Sequence, residues 1–217
     1  MMQNTDYLIK ILSQLNISPL DEQVTKLNRF YELLINANRI MNLTAITDYK
    51  EAVIKHFADS LSLNKIYDLS DDKPIRIIDI GTGAGFPGIP LKIIYPHIDI
   101  TLLDSLGKRI SFLEDVIDAL ELNRYGHISA IHMRAEDYIR EDIVRESYDL
   151  AVSRAVADMS VLCEYALPYV KIGGCFISYK SGEYIEELNN ASNAIDILGG
   201  HIGTNVSFIL PDSDISR

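Results

Sequence analysis

The sequence has few cysteines and no long apolar run. Cys163 and Cys175 are its only cysteines, too few for a disulfide framework and without the CxxC spacing of a metal or redox site. Every apolar stretch is interrupted before the roughly 18 residues that a membrane-spanning helix needs. Asp6 and Lys10 fall where an export signal requires an uncharged core. We therefore expect a soluble, cytoplasmic protein with no membrane partner and no bound metal.

Positive charge is also scarce. Lys and Arg number 20 against 31 Asp and Glu, which gives a formal net charge of −11. Such a charge keeps a protein soluble but opposes the binding of nucleic acid through bulk electrostatic attraction. An RNA partner would therefore have to meet a local basic patch and be recognised through few phosphate contacts and through shape.

Residues 1–74 are predicted to form an N-terminal extension of three helices. Apolar residues recur at helical spacing in the first of them. Ser18-Pro19 is typical of the N-cap and first position of a second helix. Asp48 followed by Glu51 resembles a capping box that opens a third helix. The polar residues 68–74 then mark a boundary.

Residues 75–217 change to short β-branched runs that alternate with helical segments. This pattern predicts an α/β domain with a doubly wound, mostly parallel sheet. The predicted strands are Ile75–Ile80, Ile98–Asp104, His127–His132, Tyr148–Ser153, Cys175–Tyr179 and Ile202–Leu210. The predicted helices lie near Ile89–Tyr95, Lys108–Leu122, Met159–Leu167 and Glu183–Leu198, the last capped by Gly199-Gly200. Six strands are most of such a sheet, and we expect its last strand to be missing.

A glycine loop follows the first predicted strand and leads into a helix. Gly81, Gly83 and Gly85 permit positive φ and a close approach of backbone N–H groups to a ligand. The spacing is GxGxG, so the third glycine of the dinucleotide fingerprint falls where Phe86 stands. This departure disfavours NAD as the ligand.

Polar residues follow the next three predicted strands. Asp104 closes the second strand, 104 − 81 = 23 residues after the first glycine, about where a carboxylate accepts hydrogen bonds from ribose hydroxyls. Ala135 and Glu136 follow the third strand, and Arg154 ends the fourth. Because ligands of doubly wound sheets bind outside the carboxyl ends of the strands, these residues predict one cleft.

The glycine loop, Asp104 and the Ala-Glu pair together resemble a class I S-adenosylmethionine-dependent methyltransferase. Longer motifs resemble the RsmG (GidB) family in particular: Asp79–Leu91, Thr101–Arg109, Arg134–Glu136, Ser153–Ala155 and Asn42–Thr44, with His56, Asp59 and Ser60. That family methylates N7 of a guanine, position 527 in the usual numbering, in bacterial 16S ribosomal RNA. The resemblance covers nearly the whole chain. It implies S-adenosylmethionine as cofactor and 16S ribosomal RNA or the small ribosomal subunit as partner.

The resemblance also implies roles for individual residues. Gly81, Phe86, Ala135, Glu136 and Arg154 match positions that contact the cofactor. Gly83, Gly85 and Asp104 complete the predicted cofactor site from the geometry of the loop and of methyltransferases. The candidate substrate contacts are His56, Lys108, Arg109 and Lys180. Family members usually continue past Arg217 into another strand, so we expect a shortened chain, and we expect it to be a monomer.

Several of these roles have alternatives. Arg154 could contact the cofactor, contact the RNA or pair with a nearby carboxylate, and we favour a role in the site. Lys108-Arg109 could reach a phosphate or form a solvated helix face. His56 and Asp59 are interpreted as a hydrogen-bonded structural contact in which His56 helps to place the RNA. Lys180 stands in a Lys-Ser-Gly sequence where the family usually has Lys-Gly, which leaves its role open.

No catalytic residue is predicted. Guanine N7 has an in-plane lone pair and no proton, so alignment with the sulfonium methyl group and stabilisation of the charge shift are sufficient. The sequence has no Asn-Pro-Pro-Tyr or Asp-Pro-Pro-Tyr after the fourth strand, and Cys163 and Cys175 are interpreted as core residues. Two alternatives stay open: a methyltransferase acting on another RNA or a small molecule, and a non-catalytic nucleotide-binding assembly module.

Overall fold

The computed structural model describes residues 2–154, 156–182 and 184–217. Five strands are present in this part of the chain: β1 Arg76–Ile80, β2 Asp99–Asp104, β3 Ile128–His132, β4 Tyr148–Arg154 and β5 Val170–Tyr179. The α-helices are α1 Met2–Ser13, α2 Asp21–Met41, α3 Tyr49–Ala52, α4 Asp59–Leu61, α5 Gly88–Ile94, α6 Gly107–Ala119, α7 Ala135–Tyr138, α8 Met159–Ala166 and α9 Tyr184–Ile197. A π-helical segment Val53–Ala58 joins α3 to α4, and 3₁₀ turns cover Ser62–Lys65 and Leu167–Tyr169.

The five strands form one sheet in the order β3-β2-β1-β4-β5, and every neighbouring pair is parallel. This confirms the predicted doubly wound, parallel fold. The chain proceeds outward from β1 through β2 to β3 and then crosses to β4 on the other side. The strand order therefore reverses between β1 and β4, which is where sheets of this kind bind ligands.

The central strand shows why the sheet needs helices on both sides. Successive side chains of a strand point to opposite faces, so Ile77 and Ile78 enter different clusters of buried residues. Ile77 packs in the cluster that contains the apolar faces of α1, α2, α5 and α6. Ile78 packs with Tyr169 and with Ala166 of α8. The extension and the sheet therefore share one apolar core, and a domain boundary at residue 74 stays a prediction.

The N-terminal helices differ from the prediction in two places. The second helix begins at Asp21 rather than at Pro19, because the Gln23 side chain accepts a hydrogen bond from the N–H of Leu20 (2.8 Å) and makes Leu20 the N-cap. The N-cap at Asp48 is confirmed, since its carboxylate accepts from the N–H of Glu51 (3.0 Å). The helix that follows changes to π-helical hydrogen bonding at Val53.

The predicted sixth strand, Ile202–Leu210, is wrong. Residues 202–208 pair with no strand, and a single antiparallel bridge joins Ile209 to Ser216. Gly203 and Asn205 interrupt the run with residues that are poor in strands. The outer edge of β5 and residues 199–206 instead line a cavity of about 1060 Å³.

The end of the last helix agrees with the prediction. Gly199 has a φ of +79°, and the N–H of Gly200 donates to the carbonyl of Ile195 (2.9 Å), so this pair caps α9. The predicted start at Glu183 lies outside the described residues. Within those residues, none of the helices has the length and apolarity to cross a membrane.

Candidate functional site

The glycine loop leaves β1 at the reversal point of the sheet. Gly81, Gly83 and Gly85 all have positive φ, at +69°, +62° and +96°. A Cβ atom at Gly85 would lie 2.6 Å from Ile89, whereas a Cβ atom at Gly83 would meet only the carbonyl of Gly81, at 4.0 Å. Gly85 is therefore required for packing within the protein, and Gly83 presents an open face that a ligand can approach.

The buried carboxylate of Asp79 accepts hydrogen bonds from both ends of this loop. Its Oδ2 accepts hydrogen bonds from the hydroxyl of Thr82 (2.7 Å) and from the N–H of Gly88 (2.8 Å). The side chain is fully buried, its Oδ1 has no partner, and burial raises the pKa of Asp79 to about 7. Asp79 was not among the predicted site residues, although a lone carboxylate inside an apolar strand is an unusual pattern.

Asp104 connects the end of β2 to the glycine loop. Its Oδ2 accepts from the N–H of Gly83 (2.9 Å), its Oδ1 accepts from the N–H of Leu106 (2.9 Å), and Arg109 Nη1 lies 3.1 Å from Oδ2. A carboxylate accepts about four hydrogen bonds, so little capacity is left for a ligand. Asp104 holds the loop and starts α6, and its contact with a ribose stays a prediction.

Ala135 and Glu136 begin α7 after β3. The hydroxyl of Tyr169, a fully buried residue, donates to the carbonyl of Ala135 (2.6 Å) and fixes the backbone there. Glu136 has a side chain that is 41% exposed and pairs with Arg134 at 3.2 Å. A rigid backbone therefore carries a solvent-facing carboxylate at this rim of the cleft.

Arg154 ends β4 and turns toward the N-terminal helices. Its Nη1 donates to Asp59 Oδ2 (2.9 Å) and to the carbonyl of Lys55 (3.1 Å). Asp59 is 1% exposed, and Arg217 Nε donates to its other oxygen (2.6 Å). Of the three interpretations of Arg154, the structure has the carboxylate pair rather than the favoured contact in the site. A ligand contact by Arg154 stays a prediction.

His56, in the π-helical segment of the extension, is buried against the glycine loop. Its ring stacks on Phe86, with centroids 4.3 Å apart, and its Nε2 lies 2.9 Å from Thr44 Oγ1. The backbone N–H of Asp59 donates to the carbonyl of His56, but no hydrogen bond joins the two side chains, so the predicted contact is present in the backbone alone. Arg154 connects the two instead, with its Nη2 3.5 Å from His56 Nδ1. Phe86 is 5% exposed and packs against the extension, so its cofactor contact also stays a prediction.

The imidazole of His56 is neutral in the folded protein. Burial, reinforced by the charge of Arg154, lowers the pKa of His56 to about 4. The neutral ring then accepts from Arg154 at Nδ1 and donates to Thr44 at Nε2. The sequence predicted a side chain that helps to place RNA, but the structure covers the ring on both edges and on one face.

This depressed pKa predicts a pH dependence of stability. Between pH 6.5 and pH 4 the unfolded chain protonates His56 and the folded chain does not, so stability is lost as the pH falls, by up to about 1.4 kcal/mol per pH unit. His56→Gln removes this slope. Urea unfolding at several pH values, with exposed His127→Gln as the control, checks it.

The comparison with wild type separates the pH dependence of stability due to His56 from that due to Asp79. The raised pKa of Asp79 acts in the opposite direction, adding stability as the pH falls below 7, but it is present in all three proteins. Parallel pH profiles for wild type and His56→Gln would contradict the assignment.

The other candidate substrate contacts differ in whether a carboxylate neutralises their charge. Lys108 is exposed and donates to the carbonyl of Met41 (3.2 Å). Arg109 is committed to Asp104. Lys180 donates to the carbonyl of Ala157 (3.0 Å) and pairs with Glu187, so it supports the segment after β4. Of the three, Lys108 alone presents an unpaired charge.

Neither a metal centre nor a reactive thiol emerges from the part of the chain that the structure describes. No cluster of three or more His, Cys, Asp or Glu side chains there could hold a metal ion. Cys163 is buried and Cys175 is half-buried, and burial raises the pKa of both thiols. Both are protonated at neutral pH, which makes them poor nucleophiles.

The fold and the cleft together define a class I S-adenosylmethionine-dependent methyltransferase. Among solved structures, a Klebsiella pneumoniae protein assigned as an O-methyltransferase is 16% identical, with a TM-score of 0.57 over 97% of this chain and 92% of that chain. Pyrococcus horikoshii TYW2 in complex with MeSAdo is 12% identical, with a TM-score of 0.56 over 73% of this chain and 58% of that chain. Both likenesses concern the fold.

The sequence comparisons then give the family. The family model of GidB, rRNA small subunit methyltransferase G, matches residues 23–211. Proteins named Ribosomal RNA small subunit methyltransferase G are 49% identical in Lachnoclostridium phytofermentans (100% of this chain, 87% of that protein) and 42% identical in Bacillus cytotoxicus (99% and 87%). The chain belongs to the GidB family, which confirms the resemblance drawn from its motifs.

The residues of the cleft fit S-adenosylmethionine. The open face at Gly83 provides room for a ligand against the backbone. The loop from residue 81 to residue 91 carries no charged side chain, so it does not repel the sulfonium. Ala135 and Glu136 border the cleft from the β3 side.

Proposed function

We propose that this protein methylates N7 of a guanine in 16S ribosomal RNA with S-adenosylmethionine. The observation that carries the proposal is a methyltransferase cleft, in a chain of the GidB family, where the described carboxylates and the imidazole nearest the glycine loop are buried and bonded within the protein and Glu136 pairs with Arg134. His56 has a covered ring and a pKa of about 4, while Asp79 and Asp104 are buried and bonded within the loop. Guanine N7 is a nucleophile that needs no base.

The cofactor supplies an activated methyl group on a sulfonium centre. The N7 lone pair forms the new N–C bond as the C–S bond breaks and its electron pair returns to sulfur. The positive charge thus moves to the guanine, and no proton is transferred. The contribution of the protein is alignment: Asp79 and Asp104 fix the glycine loop, and Tyr169 fixes Ala135.

The remaining assignments belong to the same proposal. The cofactor contacts are Gly81, Gly83, Gly85, Phe86, Asp104, Ala135, Glu136 and Arg154. The protein acts in the cytoplasm as a monomer, on free 16S ribosomal RNA or on the small subunit. Residues 1–74 form an extension to a methyltransferase domain at residues 75–217.

The chemistry can be tested on the product. Small subunits and protein-free 16S transcript are incubated with the protein and labelled S-adenosylmethionine. We expect borohydride and aniline to cleave the product strand at one guanine, because N7-methylguanosine carries a positive charge that labilises its ring. Label on an amine or on a carbon atom would contradict the proposal. Transfer only to small molecules, or cofactor binding without any transfer, would favour the two alternatives.

The cysteines give a second prediction. Cys163→Ser and Cys175→Ser should each keep turnover close to that of wild type, because both thiols are protonated and neither is needed as a nucleophile. Initial rates with 16S transcript measure this, and cofactor binding serves as the control for folding. Loss of turnover in a folded variant that still binds the cofactor would indicate covalent catalysis.

A further inference from the structure

Most positive charge in the described residues is neutralised or covered. Of the 20 Lys and Arg side chains, more than half form ion pairs with Asp or Glu. Four more lie over aromatic rings, and Lys92 is buried. Within the described ranges this leaves three exposed cations without such partners: Arg39, Lys108 and Arg145.

Two of these three stand where the end of α2 meets the start of α6. Arg39 stands in the last turn of α2, and Lys108 stands at the start of α6, just after the carboxyl end of β2. Lys108 Nζ reaches the carbonyl of Met41, two residues after Arg39, at 3.2 Å. Arg145 precedes the amino end of β4 and has Glu141, Asp142 and Glu146 as sequence neighbours, whereas Lys108 follows the carboxyl end of the parallel strand β2.

The segments around Arg39 and Lys108 contain no acidic residue. Residues 33–47, 80–98 and 105–113 are free of Asp and Glu in a chain with 31 of them. These segments meet, because α2 packs against α5 and α6. The carboxylate between them, Asp104, is 3% exposed and paired with Arg109. Within these three segments, therefore, no carboxylate stands beside Arg39 or Lys108 to repel a phosphate.

We propose that Arg39 and Lys108, the α2–α6 patch, bind the phosphodiester backbone of the RNA that presents the target guanine. The assignment deepens the proposed function and rests on it. Two unpaired cations suit phosphate oxygens, which accept charge-assisted hydrogen bonds. The patch borders the glycine loop, so RNA held there can extend a base into the cleft. Arg109 and Lys180 are left out because both are committed to carboxylates.

The test measures RNA binding and cofactor binding separately. Arg39→Ala, Lys108→Ala and the double variant are titrated with protein-free 16S transcript and with small subunits across a salt series, and with S-adenosylmethionine by calorimetry. Each single substitution should weaken RNA binding and reduce the slope of log affinity against log salt by roughly 0.7 to 0.9, because one phosphate contact is lost. The double variant should lose about twice that slope. Cofactor affinity should not change.

Two matched controls accompany these variants. Arg145→Ala removes an unpaired, exposed cation at the amino ends of the strands, and Arg29→Ala removes an ion-paired arginine from the same helix as Arg39. Both should bind RNA like wild type. A drop in RNA affinity for the controls as large as that for the patch variants would show that total charge matters rather than this surface, and would overturn the proposal.

The remaining outcomes distinguish a failure of the α2–α6 patch assignment from a failure of the proposed function. If the double variant matches wild type in RNA affinity and slope while wild type methylates RNA, the patch is wrong and the function stands. If the double variant binds free RNA normally but loses affinity for small subunits, the surface contacts a ribosomal protein and the assignment to RNA is overturned. If wild type neither binds nor methylates RNA, the function fails and the patch fails with it.

Discussion

Gly83→Val should abolish the binding of S-adenosylmethionine while the protein remains folded. The backbone at Gly83 has a φ of +62°, and a Cβ atom there meets nothing closer than 4.0 Å. The valine side chain would therefore occupy the space above the loop in which we propose that the ligand lies against the backbone. Titration calorimetry with S-adenosylmethionine and with its demethylated product measures the loss.

A matched control separates blocked binding from backbone strain. Gly199 has a φ of +79°, and a Cβ atom there would meet no other atom within 4 Å. Gly83→Val and Gly199→Val should each lose about 1 to 3 kcal/mol of stability, because a branched residue is strained at positive φ. Only Gly83→Val should lose the cofactor. Should its fold be lost, Gly83→Ala is the milder variant, and normal affinity in a folded Gly83 variant would refute this location of the site.

The parallel sheet could be predicted because its signal is local. Each of the first five predicted strands is a short apolar run, and the structure has a strand at each of these places. A predicted helix separates every neighbouring pair along the chain except the third and fourth strands, where the structure has the short helix α7. The predicted strand at Ile202–Leu210 is longer than these and includes Gly203 and Asn205. Whether such a run pairs depends on the neighbouring edge, here β5, which its own sequence does not specify.

The cleft could be predicted in outline for the same reason. The glycine loop, Asp104 and Ala135-Glu136 each follow a strand directly, and the carboxyl ends of parallel strands meet at one edge. What each side chain contacts could not be predicted. Asp104 holds the N–H of Gly83 at a separation of 21 residues, and Arg154 reaches Asp59 across 95 residues. Such pairs depend on how α4 packs over the sheet, and no pattern along the chain encodes that packing.

Asp59→Ala should be among the most destabilising substitutions in this protein. Asp59 is 1% exposed and neutralises two arginines, with Arg154 Nη1 at 2.9 Å and Arg217 Nε at 2.6 Å. Without the carboxylate, two cations face each other in a mostly buried position. Removing one partner of a buried ion pair costs about 3 to 5 kcal/mol. Urea unfolding of wild type and variant at neutral pH measures the difference.

A second pair of variants shows whether the cost comes from unpaired charge. Glu51→Ala breaks the exposed Lys55–Glu51 pair on the adjoining turn and should cost less than about 1 kcal/mol. Adding Arg154→Met to Asp59→Ala should restore part of the lost stability, because an apolar side chain replaces one unpaired buried cation. Two results would contradict this explanation: a cost of Asp59→Ala no larger than that of Glu51→Ala, or a double variant less stable than Asp59→Ala. Either would show that Asp59 does not stabilise the protein by neutralising Arg154. The junction between α4 and β4 would then depend on packing alone.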